Sequence, residues 1–156
     1  MLTRNWVREL SAVYTSEEQK AIDGAEILGN FTGLTFQCVP DLGENDRSST
    51  GFLEPAEFES TANQFFAFPE ESVKGWETAI DAQSRIVKAV KSIVCTDTTE
   101  GSIAIISHGA VGTLLYCFLS GSPIDRRWDQ PGSGGGHYLK LQLDPAVQCS
   151  WWKPID

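Results

Sequence analysis

The sequence predicts a three-layer α/β fold with a mixed, mostly parallel sheet, and three observations predict it. The run Ile103-Ala104-Ile105-Ile106 carries no polar alternation and ends at Ser107-His108-Gly109. The helical apolar pattern Val111, Leu114, Leu115, Phe118 follows at once. Such a run suits a strand covered on both faces of a parallel sheet. Short apolar strands alternate with helical patterns along most of the chain, as in stacked α and β layers. The end of the chain turns to strand patterns, Tyr138 to Leu143 and Cys149 to Lys153, which read as an antiparallel edge hairpin joined at Asp144-Pro145.

In chain order, Asn5 to Leu10 reads as the last turns of a helix or a connector. Ala12-Val13-Tyr14 is a short strand. Ser16 is a good N-cap, with Glu17 and Glu18 in the first turn, where carboxylates complement the helix dipole. That helix is expected to run to Leu28, with Ala21, Ala25 and Leu28 inward, and to stop at Gly29-Asn30. Thr35 to Val39 is a second strand, closed by Pro40, and a polar loop to Gly51 follows. Two helical segments come next, at Pro55 to Phe66 and Trp76 to Val94, the second with a strong 3.6-residue apolar period.

Composition bounds the function. A length of 156 residues suits one domain. A net charge of -9 argues against nucleic acid and anionic membrane surfaces as partners, which need basic surface. It leaves room for a small anion in a local basic pocket. No signal peptide and no run of transmembrane length is visible. The four cysteines, Cys38, Cys95, Cys117 and Cys149, lack zinc spacing. Cys95 and Cys117 read as small buried hydrophobes, and a reducing, cytoplasmic location is the expectation.

Three stations carry the chemistry. Ser16 follows the first strand, with Lys20 one turn along. His108 follows the central strand and opens a helix at Gly109, a residue that lets backbone approach a ligand. The loop with Glu44 and Arg47 follows the strand ending at Val39. All three fall at carboxyl ends of strands, where open α/β sheets place ligands. A histidine, a lysine, an arginine, a carboxylate and a free helix N-terminus can together hold a phosphoryl group and protonate its leaving oxygen. Each residue also has a plainer role: His108 as a hydrogen-bonded structural residue, Lys20 as a solvated helix position, Glu44 and Arg47 as a surface ion pair. His137 and the tryptophans Trp151 and Trp152 read as structural. The run Gly132 to Gly136 precedes a strand, so it does not match a phosphate loop.

These residues resemble the histidine phosphatase superfamily, also called phosphoglycerate mutase-like, over nearly the whole chain. Tyr14 to Ala25 resembles the family's second motif, a strand-end Ser with a basic residue four later. Lys20 stands where the family usually has a phosphate-binding Arg, and Gly24 replaces a Thr. Leu42-Gly43-Glu44 resembles the segment that supplies the proton-donating Glu. Glu71-Ser72 with Arg85-Ile86 resembles the family's helix pattern, and Ser107-His108-Gly109 its third motif, whose His contacts the phosphoryl group.

The resemblance implies a phosphoglycerate mutase-like three-layer domain spanning residues 1–156. It assigns His108 and Glu44 to catalysis, and Lys20, Ser16, Gly109 and Arg47 to the phosphate, with no metal and no cofactor. The family's defining Arg-His-Gly, whose His is the nucleophile, occurs nowhere in the chain. The expectation is therefore an N-terminally incomplete domain whose first strand is missing from beside the strand ending at His108. Backbone groups left unpaired there would cost about 1–3 kcal/mol each. Two functions follow from the resemblance: a phosphomonoester hydrolase of low activity as it stands, or a non-catalytic relative that binds a phosphorylated ligand or partner. Its expected partners are a small phosphorylated substrate or a phosphoprotein, and an exposed sheet gap favours a homodimer.

Overall fold

The computed structural model describes residues 1–132, 135–142 and 148–155. Leu143, the Asp144-Pro145 turn and Ser133-Gly134 of the glycine run lie outside the described residues.

Three strands form a parallel sheet: β1 (Leu10–Thr15), β2 (Phe36–Cys38) and β3 (Ser102–Ile106), in the order β2-β1-β3. The register sets Val13 between Phe36 and Ala104. Side chains alternate between faces along a strand, and two clusters show where each face goes. On one side Val13, Phe36, Ala104 and Ile106 pack with Ala25 and Leu28 of α1 (Gln19–Thr32). On the other, Tyr14, Ile103 and Ile105 meet α3 (Ala79–Thr96) and α4 (Gly109–Ser120) through Ile86, Val90, Val111 and Leu114. α2 (Pro55–Ala67) closes this larger core with Phe65 and Phe66. The result is the expected α/β/α sandwich. Among the described residues no helix is long and apolar enough to cross a membrane.

The helix bounds differ from the sequence reading for local reasons. α1 begins at Gln19, because Ser16 stays in the strand's extension with its hydroxyl turned inward. It runs through Gly29-Asn30 to Thr32 and ends at Gly33, whose left-handed φ of 77° suits glycine. Gly29 serves a close approach instead: a Cβ there would sit 2.7 Å from the Leu34 carbonyl oxygen. α3 starts three residues after Trp76, because Thr78 is its N-cap, accepting the Asp81 N–H at 3.1 Å. Trp76 remains core, 3% exposed, in the preceding turn. Phe118, the last residue of that apolar pattern, is exposed on α4 with Lys91 Nζ 4.8 Å from its ring centre. Cys117 is buried as expected, but Cys95 is exposed on the outer side of α3.

The terminal segment is antiparallel but divided. β4 (His137–Tyr138) pairs with β7 (Lys153–Pro154), and β5 (Leu141–Gln142) with β6 (Gln148–Cys149). Both are separate two-stranded pieces beside the parallel sheet. Trp152 reaches back to α4, where its ring occupies the space a Cβ on Gly112 would need, at 2.6 Å. Its Nε1–H donates to Trp128 O at 2.9 Å. β3 therefore ends the sheet, with β1 on one edge and no other paired strand among the described residues. Its side chains from Ile103 to Ile106 are accordingly only half-buried, whereas the sequence predicts a strand covered throughout.

Candidate active site

The carboxyl ends of β1 and β3 lie side by side, and both lead into helices. The Ser16 N–H donates to Ile106 O at 3.1 Å, extending the pairing by one residue. This brings together two side chains 92 positions apart in sequence: Ser16 Oγ lies 2.7 Å from His108 Nε2. Both residues are buried, Ser16 completely and His108 to within 6%. Ser16 Oγ also accepts the Glu18 N–H at 3.3 Å, which fixes the turn into α1.

Two carboxylates converge on the imidazole. Glu18 Oε1 is 3.1 Å from His108 Nε2. A carboxylate oxygen only accepts, so this contact assigns the ring proton to Nε2. The other nitrogen, Nδ1, is buried and has no partner among the described residues. Glu18 Oε1 also accepts the Glu44 N–H at 2.7 Å. The Glu44 carboxylate in turn accepts the amides of Ala110 at 3.3 Å and Val111 at 3.2 Å. It thereby caps α4, where a negative charge is stabilised by the helix dipole. The sequence reading left that N-terminus free; the structure fills it with the chain's own carboxylate.

Burial is the main reason that His108 is held below the ordinary histidine value. The charges of Glu18 and Glu44 pull it up, and those of Lys20 and Arg47 push it down again. The ring is therefore neutral near pH 7, a donor through Nε2 and an acceptor through Nδ1.

The charges of Lys20 and Arg47 reach His108, but neither cation contacts it. Among the described residues neither the Lys20 ammonium nor the Arg47 guanidinium makes a hydrogen bond or ion pair. Lys20 is exposed in the first turn of α1. Arg47 does not pair with Glu44; its guanidinium lies 5.2 Å from the ring centre of Phe58 and 5.7 Å from that of Trp76.

The model for the histidine phosphatase superfamily (branch 1) matches residues 3–145. The chain belongs to the histidine phosphatase superfamily. Solved structures agree on the fold at low identity. A mycobacterial glucosyl-3-phosphoglycerate phosphatase is 18% identical, with a TM-score of 0.70 over 94% of this chain and 77% of its own. YhfR of Bacillus stearothermophilus is 23% identical, with a TM-score of 0.73 over 92% of this chain and 73% of its own. A phosphoglycerate mutase from Bacillus anthracis is 15% identical, with a TM-score of 0.63 over 93% and 74%. No curated protein sequence matches significantly.

Several parts of this superfamily member's corner escaped sequence reasoning. Glu18 read as a helix-dipole residue, yet it stands against His108. Arg85 read as part of a helix pattern, yet it organises the loop that carries Glu44. Its guanidinium binds Glu77 through two bonds, of 3.0 and 2.8 Å, and donates to the carbonyls of Asp41, Gly43 and Glu44. Gly109 read as a point of ligand approach; a Cβ there would meet the Gln130 side-chain nitrogen at 2.6 Å, so Gln130 already uses that space. A carboxylate two residues after a strand-end Ser was the available signal for Glu18. Gln130 gave none, because only the fold brings residues 109 and 130 together. Among the described residues no cluster of His, Cys, Asp or Glu is arranged to hold a metal ion.

Proposed function

We propose that this member of the superfamily binds the phosphoryl group of a phosphate monoester at the corner between Ser16 and His108, as a phosphomonoester hydrolase site that lacks its nucleophile. The 2.7 Å contact between Ser16 Oγ and His108 Nε2 carries the reading, because it joins the carboxyl ends of β1 and β3 at a neutral donor ring on which the charges of Lys20 and Arg47 act. Lys20 and Arg47 supply the positive charge a phosphoryl dianion needs, and His108 Nε2–H and Ser16 Oγ–H supply donors. Gly109 and the α4 amides become available to an oxygen when the Glu44 carboxylate leaves them. A released Glu44 can then protonate the leaving oxygen as general acid. A mycobacterial protein of the same fold, 19% identical, was determined in complex with VO3 and with inorganic phosphate, which supports an oxyanion as the kind of ligand.

The chain carries no Arg-His-Gly, His108 is committed to holding oxygens, and His137 lies on the separate β4–β7 ladder, so neither histidine takes the nucleophile's place. The expected outcome is very low turnover of a generic aryl phosphate by this polypeptide. A version bearing an added N-terminal strand with Arg-His-Gly is expected to turn over, and to lose that activity on Glu44→Gln. Robust turnover by the 156-residue chain, abolished by His108→Ala alone, would contradict this assignment. The alternative is a pseudophosphatase that binds a phosphorylated ligand or partner protein. The missing Arg-His-Gly favours it, since binding needs no nucleophile.

A further inference from the structure

Gln130 stands against the first turn of α4, and the segment that carries it is pinned at three points. The buried Thr113 donates its hydroxyl to Asp129 Oδ1 at 2.9 Å, and the same oxygen accepts the Gln130 N–H at 2.8 Å. Arg126 pairs with Glu59 of α2 at 2.6 Å. The Trp152 indole, seated at Gly112, donates to Trp128 O at 2.9 Å.

The side chain held by this anchoring is uncommitted. Gln130 is half-buried, and among the described residues its carboxamide makes no hydrogen bond. It fills the place of the side chain that Gly109 lacks, with Nε2 2.6 Å from where a Cβ would be. The Cα–Cβ bonds of a helix tilt toward its N-terminus. The carboxamide therefore lies at the end of α4 that His108 caps, the end whose Ala110 and Val111 amides are held by Glu44.

From this we infer that Gln130 is a phosphoryl-contacting residue. Its carboxamide N–H donates to an oxygen of the bound phosphoryl group, beside the α4 amides that Glu44 vacates. This rests on the phosphoryl site proposed above. A donor already fixed by its neighbours loses little freedom on binding. Gly109 then serves the ligand indirectly, by leaving room for this donor.

NMR titration of the full chain with inorganic phosphate tests this without turnover, followed at the backbone amides of Gly109 and Ala110. Gln130→Met keeps the bulk and removes the donor; Gln130→Lys restores a donor. The expected result is saturable shifts in the wild type, affinity about tenfold weaker in Gln130→Met, and affinity within about threefold of wild type, or tighter, in Gln130→Lys. Gln130→Met binding phosphate as well as the wild type overturns the inference and leaves the phosphoryl reading standing. Equal losses in both variants also overturn it, because they mean that the glutamine only packs. No phosphate-induced shift in the wild type overturns the phosphoryl reading and this inference together.

Discussion

A buried neutral histidine makes a specific statement about stability. His108 is held below its ordinary value chiefly by burial, so the unfolded chain takes up the proton at higher pH than the folded one. The sign follows from linkage: the stabilisation is complete above the unfolded value, about 6.5, and is lost as pH falls toward the lower folded value. Urea denaturation at a series of pH values is expected to show wild type losing stability over this window and His108→Gln losing less. Parallel curves would show that the ring is not buried as described. His108, Ser16 and Glu44 were legible in the sequence because each follows an obvious strand and is a chemically active type. Glu18 was masked by its second plausible use, at the start of a helix. What the residues do to one another, above all the Glu44 carboxylate on the α4 amides, depends on distances that no spacing encodes.

At the scale of elements, Arg85 on α3 holds the loop that delivers Glu44. Five of its hydrogen bonds go to one carboxylate and three backbone carbonyls, and Glu77 raises its guanidinium pKa most. Glu77 also accepts the Asp46 N–H at 3.1 Å, so the two residues hold the segment from Asp41 to Asp46 against α3 and the turn before it. Removing one member of a largely buried pair leaves the other uncompensated. Arg85→Met is expected to cost about 3–5 kcal/mol in chemical denaturation, with Glu77→Gln costing less because its acceptor oxygen remains. A loss within experimental error for Arg85→Met would contradict the loop's dependence on it. Element existence was readable from apolar period and caps; element ends were not. Gly29 looks like a helix stop until the Leu34 carbonyl is seen to need its missing side chain. Thr78, two residues past an apolar Trp, sets the start of α3 through a bond to Asp81 that periodicity ignores.

At the scale of the molecule, the order β2-β1-β3 makes β1, among the described residues, the strand of this sheet paired on both edges. Hydrogen exchange is expected to find the β1 amides among the slowest, and those of β3 that face away from β1 faster by about two orders of magnitude. Equal protection of both sets would mean that another segment or a second copy of the chain covers β3, as an edge strand invites. Alternating strands and helices made the layered architecture legible. The split of the terminal hairpin into two short ladders was not, because its residues pair only where α4 and the N-terminal turn allow. The central claim is that Ser16, His108, Lys20 and Arg47 surround a phosphoryl position that Glu44 now guards. A crystal structure determined in concentrated sulfate tests it most directly. The account predicts an oxyanion within hydrogen-bond reach of His108 Nε2 and Lys20 Nζ, with the Glu44 carboxylate displaced from Ala110 and Val111. An empty corner with Glu44 still on those amides would contradict it.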